Sequence, residues 1–522
     1  MIRMLRRLLA LVLCAAFVLC AAPAALAADT GHDQTASFLA SQTLDPTAGT
    51  VYGDWLVFTL ARTGSAVPEG FFSAYLTRAE KLLAENNGAL RGPVTGTLRL
   101  CLALEALGQK LTDVGGYDLL TVVKDTGRIC RTTVIGPAVS LLILNNAGGD
   151  PACEQTYLRH LLDTQLEDGG WALSGTVADP DTTAMALQAL SFYQKEAETA
   201  ISRGVARLST LQQPGGGYTA WGASTSESIS QVLMALCMLG ISPDDARFVK
   251  NGCTLLDALL SFRLEDGSFR HLAERGYDVM ATHQAMLALE SLRRAEEDLP
   301  NIYLITDPAA VDRGFAGLPG RDPAVAVPGR QAEEPVFSDI AGLAEEQAIL
   351  ALAGRGILEG MGGGRFEPEG LLNRAQFCAM AVRALGLPQA SSAGFSDVPE
   401  GLWYSAPVNA AAAFGAVEGV GGGRFAPLQP ITRQQAAVLV ARLAKACGLN
   451  VRYSADARRN VLSQFGDWQS CAPWAQEALA FCCDRDILDT GEADLCPGEA
   501  VTRAEAARMF FALLDEALLL EN

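Results

Sequence analysis

The chain has 522 residues, and its 40 Lys and Arg against 59 Asp and Glu give a formal net charge of -19 at pH 7. That balance excludes the clustered basic surface nucleic acid needs, and adhesion to anionic lipid by charge alone. The length is too great for one core and suggests two or three domains.

The start of the chain reads as an export leader, a signal peptide over 1–27. Arg3, Arg6 and Arg7 are basic, Leu8 to Ala22 is apolar, and Ala25-Leu-Ala27 suits cleavage. The apolar stretch is short for a spanning helix, and no later one is long enough to cross a membrane. Neither Cys14 nor Cys20 follows a small residue as lipidation requires. Cleavage would take the charge from -19 to about -22. Of 13 cysteines, 11 lie beyond the leader; they are odd in number and lack a C-x-x-C pair. Neither a disulfide scaffold nor a structural zinc site is indicated, although a local bridge among Cys471, Cys482, Cys483 and Cys496 stays open.

Over 28–295 a helical hairpin recurs. Its marker is Gln165-Leu-Glu-Asp-Gly169-Gly-Trp171, then Gln212-Gln-Pro-Gly-Gly216-Gly-Tyr218 and Arg263-Leu-Glu-Asp-Gly267-Ser-Phe269. Each glycine turn releases one helix and its aromatic packs the turn, and each is followed by an Ala/Leu-rich helix: Thr182 to Leu190, Ser228 to Leu239, Thr282 to Leu292. Runs at Trp55 to Leu60, Thr97 to Leu107 and Ile135 to Leu144 extend the spacing backwards, giving six hairpins. The set resembles the α/α toroid of terpenoid cyclases and protein prenyltransferase β subunits, shared by the cobalamin carriers of animals. A straight solenoid fits the same period, because period alone does not fix closure.

In a toroid the Ala/Leu-rich helices would be the inner ones, and polar residues gather where they begin. Asp179, Asp181, Thr182 and Thr183 open the fourth, Ser226, Glu227 and Ser228 the fifth, and Asp278, Thr282 and His283 the sixth. Asp54 precedes the first, and Thr132 and Thr133 the third. They would ring one mouth, and each single Asp, Ser or Thr is also explained by helix capping. Asp179-Pro-Asp181-Thr182-Thr183-Ala resembles the Asp-x-Asp-Asp-Thr-Ala signature of class II triterpene cyclases, which implies Asp181 as the protonating acid and Asp179 beside it. The family's next Asp is Thr182 here, and an acid that loses a neighbour loses part of what tunes it. The prenyltransferase zinc set is missing, with no Asp-x-Cys in this region and four histidines in the whole chain, so no metal is expected. The carrier resemblance implies a corrinoid as the conceivable cofactor, but offers no partner domain to complete its pocket. A polar-rimmed, apolar-walled site for an unidentified ligand is the reading favoured over catalysis.

Residues 296–335 are rich in Pro, Gly and Ala and read as a linker. After it one grammar is written three times, over 336–387, 394–448 and 464–520. Openings are Phe337-Ser-Asp339, Phe395-Ser-Asp397 and Phe465-Gly-Asp467; closings are Asn373-Arg374-Ala-Gln376, Thr432-Arg433-Gln-Gln435 and Thr502-Arg503-Ala-Glu505. Between them run Gly360-Met-Gly-Gly-Gly364-Arg-Phe366-Glu-Pro368 and Gly419-Val-Gly-Gly-Gly423-Arg-Phe425-Ala-Pro427. The closings are capping boxes, and Arg falls at the first helical position, where the helix dipole disfavours a cation. Three such arginines beside helix N–H groups make fork-shaped anion sites.

These segments resemble S-layer homology motifs. The resemblance implies a three-lobed helical module that binds acidic, often pyruvylated, secondary polysaccharide of the bacterial cell wall through Arg374, Arg433 and Arg503, Trp403 and Trp474, with Gly364 and Gly423 shaping the loops. The first copy has Ala344 where the others have Trp, and the third lacks the glycine run. The expected strong grooves are those of Arg374 and Arg433, with Arg503 beside the altered loop. The whole reads as an all-α, secreted, wall-anchored surface protein displaying a toroid.

Overall fold

The computed structural model describes residues 31–520 apart from 43–45, 221, 332–334, 392, 490 and 492, so the leader expected over 1–27 lies outside the described residues. The chain divides into two compact units, Met1–Gln42 with Gly49–Ala66 and Leu82–Ala309, and Thr43–Ala48 with Val67–Lys81 and Ala310–Asn522. Both are helical. Among the described residues the one strand pair is the two-residue hairpin Thr219–Ala220 and Ala223–Ser224.

The first unit is built on six inner helices: α1 (Val51–Thr63), α2 (Val94–Ala106), α3 (Ile135–Asn146), α4 (Pro180–Leu190), α5 (Ser226–Met238) and α6 (Val279–Glu296). Thr50, Asp179, Thr225 and Asp278 cap four of them, each side chain accepting from the backbone N–H three residues on. Each inner helix packs on the next, and α6 packs back on α1. The ring is therefore closed, which a solenoid could not do.

The glycine turns explain the spacing. Gly169, Gly216 and Gly267 all have left-handed φ, at 91°, 83° and 91°. A Cβ on Gly169 would stand 2.8 Å from the carbonyl of Arg203 and one on Gly216 2.7 Å from that of Thr254, each in the next outer segment. The third meets the backbone of Gln34 at 2.9 Å, so helix His32–Gln42 stands in as the next outer helix and completes the circle. Trp171, Tyr218 and Phe269 are fully buried; the indole N–H of Trp171 donates to Leu161 O and the Tyr218 hydroxyl to Leu208 O.

The seam between the last and first hairpins carries a buried ion network with no counterpart in the repeat pattern. Glu290 accepts from Arg294 at 2.7 Å, Arg293 at 2.7 Å and His32 at 2.7 Å. Arg62 pairs with Asp307 at 2.9 Å, and Arg294 donates to the Arg62 carbonyl. Burial would raise the Glu290 pKa, but hydrogen bonds from His32 and Arg293 and the neighbouring arginines bring it down to about 2. The supposed linker is thus corrected in its first part: Tyr303 is buried against Phe58 and accepts from Asn146, so this stretch is docked on the toroid.

The second unit holds three helix pairs: α7 (Glu346–Ala353) and α8 (Arg374–Leu385), α9 (Ser405–Ala413) and α10 (Arg433–Ala446), α11 (Gln476–Asp484) and α12 (Arg503–Glu516). Capping boxes open α8, α10 and α12. The residues just before the three caps form a closed triangle of backbone hydrogen bonds: Leu372 N to Val501 O, Val501 N to Ile431 O and Ile431 N to Leu372 O, each 3.0 Å. That triangle places the three copies about a common axis. The rest of the supposed linker also packs: Leu318 and Val325 are buried, Asp322 N donates to Ala446 O and Ala326 N to Leu385 O. All eleven described cysteines are free thiols, so the local bridge left open in the third copy is not formed.

Candidate functional site

The helix starts that carry the three arginines are not open to solvent, which corrects the sequence expectation. Each is plugged by the loop of another copy. The backbone N–H groups of Arg374 and Ala375 donate to Gln429 and Pro427, those of Arg433 and Gln434 to Glu499 and Pro497, and those of Arg503 and Ala504 to Gly370 and Pro368. Copy one is thus served by loop two, copy two by loop three, and copy three by loop one. Every arginine lies against the loop of another copy.

The loops are held from within. Asp339 accepts from Phe366 N and Glu367 N, Asp397 from Phe425 N and Ala426 N, and Asp467 from Leu495 N and Cys496 N, all at 2.8 Å. Glu367, Ala426 and Cys496 share left-handed φ values of 59°, 58° and 50°. A non-glycine residue there is strained, and the double anchor on Asp holds it. These aspartates stood in the sequence as openings without a role; the recurring aromatic-x-Asp was the signal.

In geometry the permutation matches Arg374 with Arg503 rather than with Arg433. Arg374 donates from Nε to Phe425 O at 2.9 Å and from Nη2 to Glu418 O at 3.1 Å, with its guanidinium 4.6 Å from the Phe425 ring centre. Arg503 does the same on loop one, at 2.8 Å to Phe366 O and 2.7 Å to Glu359 O, 4.5 Å from the Phe366 ring. Burial lowers the pKa of both guanidinium groups, from so high a value that they stay charged. Arg433 faces the altered third loop, where Leu495 replaces the phenylalanine. Its Nη1 pairs with Glu505 at 2.9 Å and its Nε is buried without a partner. Arg374 and Arg503 are therefore the matched pair, and Arg433 is the neutralised one.

The groove at Arg374 encloses about 460 Å³ and is lined also by Gly419, Val420, Gln435, Arg442 and Trp474. Gly423 does not line it: Gly421 to Gly423 are three left-handed turn residues, and the Gly423 carbonyl accepts from Ser396 N, as Gly364 does from Ser338 N. Trp474, from the third copy, is 58% exposed, as is Trp403. The groove at Arg433 is smaller, about 180 Å³, and holds the Glu505 carboxylate and the Arg508–Asp489 pair at 2.8 Å.

In the toroid the expected mouth residues separate. Asp179 and Asp278 are spent as caps, on Thr182 N with Leu173 N and on Ala281 N. Thr182 and His283 are buried, His283 with neither ring nitrogen paired and its pKa lowered by burial to about 4. Asp54 is buried against Arg99 at 3.0 Å. Asp181 does come beside Ser228 and Glu227. Burial pushes its carboxyl up to about 6, with Asp179 and Glu227 adding to the rise and Ser228 opposing it.

A further stripe was missed in the sequence. Within the otherwise buried inner helices, half-buried residues recur four apart: Thr95 and Arg99, Asp181 and Met185, Glu227 and Gln231, Met280 and Gln284. In helices covered on their other faces, this is the face turned to the ring's axis. The stripe ends after two turns, where buried Gln188 donates to Gln231. Each pair spans about 6 Å of helix, and we read the stripe as the wall of a shallow cup at the ring's mouth. Spacing from each cap to the second and sixth residue would have revealed it.

Residues 336–378, 394–437 and 464–507 match the S-layer homology domain, so the chain carries three such domains. It is 32% identical over 188 residues to an amylopullulanase of Thermoanaerobacterium thermosulfurigenes (35% of this chain, 10% of that protein). It is 29% identical over 183 residues to the surface-layer 125 kDa protein of Lysinibacillus sphaericus (34% and 15%). The chain thus spans well under a fifth of these relatives' lengths. A type II terpene cyclase of Scytonema aligns over 51% of this chain and 97% of its own at 14% identity, with a TM-score of 0.37. Protein geranylgeranyltransferase-I of Candida albicans covers 53% and 95% at 12% identity, with a TM-score of 0.38. At those scores the likeness carries no argument; the closed ring rests on the helix packing above. The three domains mark a secreted protein of the cell surface, associated with the cell wall. No described helix is long and apolar enough to cross a membrane.

Proposed function

We propose that this chain is held non-covalently to an acidic polysaccharide of the bacterial cell wall, and that it displays the toroid's cup as an open ligand-binding site. The observation that supports the first part is the matched geometry of Arg374 and Arg503. Each guanidinium is fixed by two carbonyls and an aromatic ring, with no carboxylate recorded in its hydrogen bonds. A guanidinium held by carbonyls, with Asp397 near Arg374 and Glu367 and Asp339 near Arg503 acting only through space, suits a sugar carboxylate, pyruvyl acetals included, and the exposed Trp474 offers a ring face for the sugar. The register that puts Trp474 at Arg374 puts Trp403 at Arg503. Arg433, paired with Glu505, contributes least.

Co-sedimentation with isolated cell walls tests this. Arg374→Ala with Arg503→Ala should leave most of the protein in the supernatant while the helical circular-dichroism signal is kept. Pelleting equal to the parent chain would place the sugar elsewhere. For the toroid, a binding role has more support than cyclase chemistry: Asp181 keeps a buried, unpartnered Oδ1, but the acid that follows it in the cyclase motif is the buried Thr182.

A further inference from the structure

The cup has a chemical character that narrows its ligand. Its one guanidinium among the half-buried wall residues, Arg99, is already paired at 3.0 Å with Asp54, whose side chain is fully buried. The opposite wall carries Asp181 and Glu227. Glu227 is paired with the exposed His271 at 2.8 Å, so an anionic ligand such as a prenyl diphosphate would meet a guanidinium already paired and the carboxylate of Asp181. The remaining polar wall is made of amides. Gln188 donates to the Gln231 side chain at 2.8 Å, and Gln231 donates to Gln284 at 3.2 Å. This chain of amides uses one Gln231 N–H and leaves further donor and acceptor capacity facing the cup. The Oδ1 of Asp181 is buried and accepts nothing. The residue as a whole is only half-buried, so the rest of its carboxyl group is left to meet a ligand hydroxyl. Apolar surface alternates with these groups: Met185 and Met280 are half-buried on the same face.

Carboxylate, paired amides and thioethers together match a molecule that presents hydroxyls on its edges and C–H groups on its faces. We infer that the cup takes a neutral polyhydroxylated ligand, the end of an oligosaccharide chain, with Asp181 as its main acceptor. This rests on the reading of the cup as an open site and adds the class of molecule that enters it. The ligand would be distinct from the acidic polymer held at Arg374 and Arg503, so one chain would engage one acidic and one neutral saccharide.

Methionine oxidation reads both claims on the full chain. Hydrogen peroxide converts accessible methionines to sulfoxides, scored residue by residue by mass spectrometry. Met185 and Met280 should react faster than the fully buried Met234 and Met286, and more slowly than Met361, which is 55% exposed. If Met185 and Met280 react no faster than the buried pair, the cup is shut, and both the open-site reading and this inference fall. If they react, chitotetraose or cellotetraose at millimolar concentration should slow them about threefold or more without protecting Met361. Farnesyl diphosphate and tetragalacturonate should not protect. Asp181→Asn should raise the saccharide concentration for half-protection about tenfold, with slow reaction of Met234 and Met286 showing that the core is intact. Reaction without protection by either neutral saccharide, equal protection by the anionic probes, or unchanged protection in Asp181→Asn would overturn the inference and leave an open cup of other specificity.

Discussion

The two units solve one problem in two ways. Each closes a ring of helical repeats, but the toroid seals six hairpins with a seam unlike its other joints, whereas the wall-binding module seals three copies with the same joint used thrice. In the toroid, Glu290, Arg294, Arg62 and His32 occur only where the last hairpin meets the first. In the module, every helix start receives the loop of another copy, and three backbone bonds of equal length close the axis. A ring with one special joint is vulnerable at that joint. A ring of equal joints puts its sites at the joints, so the quality of a site depends on two copies at once.

The largest expected effect breaks the special joint. Glu290→Gln takes from Arg293 and Arg294 the carboxylate they share, leaving Arg294 only Asp307 at 3.2 Å, and should cost about 3–5 kcal/mol, read from the denaturant midpoint of the toroid's transition. A comparable loss from cutting any equivalent joint would show that the seam is not special.

Next comes one of the equal joints. Asp397→Ala strips the acceptor from Phe425 N and Ala426 N. It should cost about 1–3 kcal/mol, and the equivalent changes at Asp339 and Asp467 should fall in the same range by thermal unfolding. A spread much wider than that would mean the joints are equal in geometry only.

The pH dependence of the seam has two limbs. His32 has a raised pKa, because hydrogen bonding to Glu290 outweighs its burial. Its contribution is complete below its unfolded value and is lost as pH rises through the raised one. Glu290, down at about 2, contributes above its unfolded value and loses this as pH falls toward 2. Urea titrations from acid to mildly alkaline pH should therefore give falling toroid stability at both ends, and His32→Gln should flatten the alkaline limb alone. The smallest effect is a gain: Ala426→Gly relieves a left-handed alanine and should stabilise the module by up to about 1 kcal/mol, seen as a small rise in melting temperature.

Much of this was legible in the sequence, for reasons that also mark where it stopped. The glycine turns announced themselves because Gly169, Gly216 and Gly267 meet neighbouring backbone where no Cβ fits. The capping boxes announced the helix starts. Closure was not legible, because it depends on Gln34 and Glu290 finding partners more than 200 residues away. The match of Arg374 with Arg503 was hidden for a related reason. Arg503 shares its copy with the altered loop, but its side chain lies on Phe366 of the first copy. Periodicity reports what a repeat contains, while the groove is made of what two repeats share. The cup lay between these cases: Asp181 stood out by motif, whereas Gln231 and Gln284 emerge only once the caps fix the helical phase.

The wall sites are proposed to be built across copies, so that Arg374 and Arg503 act and Arg433 does not. The most direct measurement is wall co-sedimentation of three single variants, Arg374→Ala, Arg503→Ala and Arg433→Ala, at matched helicity. Each of the first two should weaken binding about tenfold and the third less than about twofold. Equal losses in all three, or Arg433→Ala as the most damaging, would contradict it.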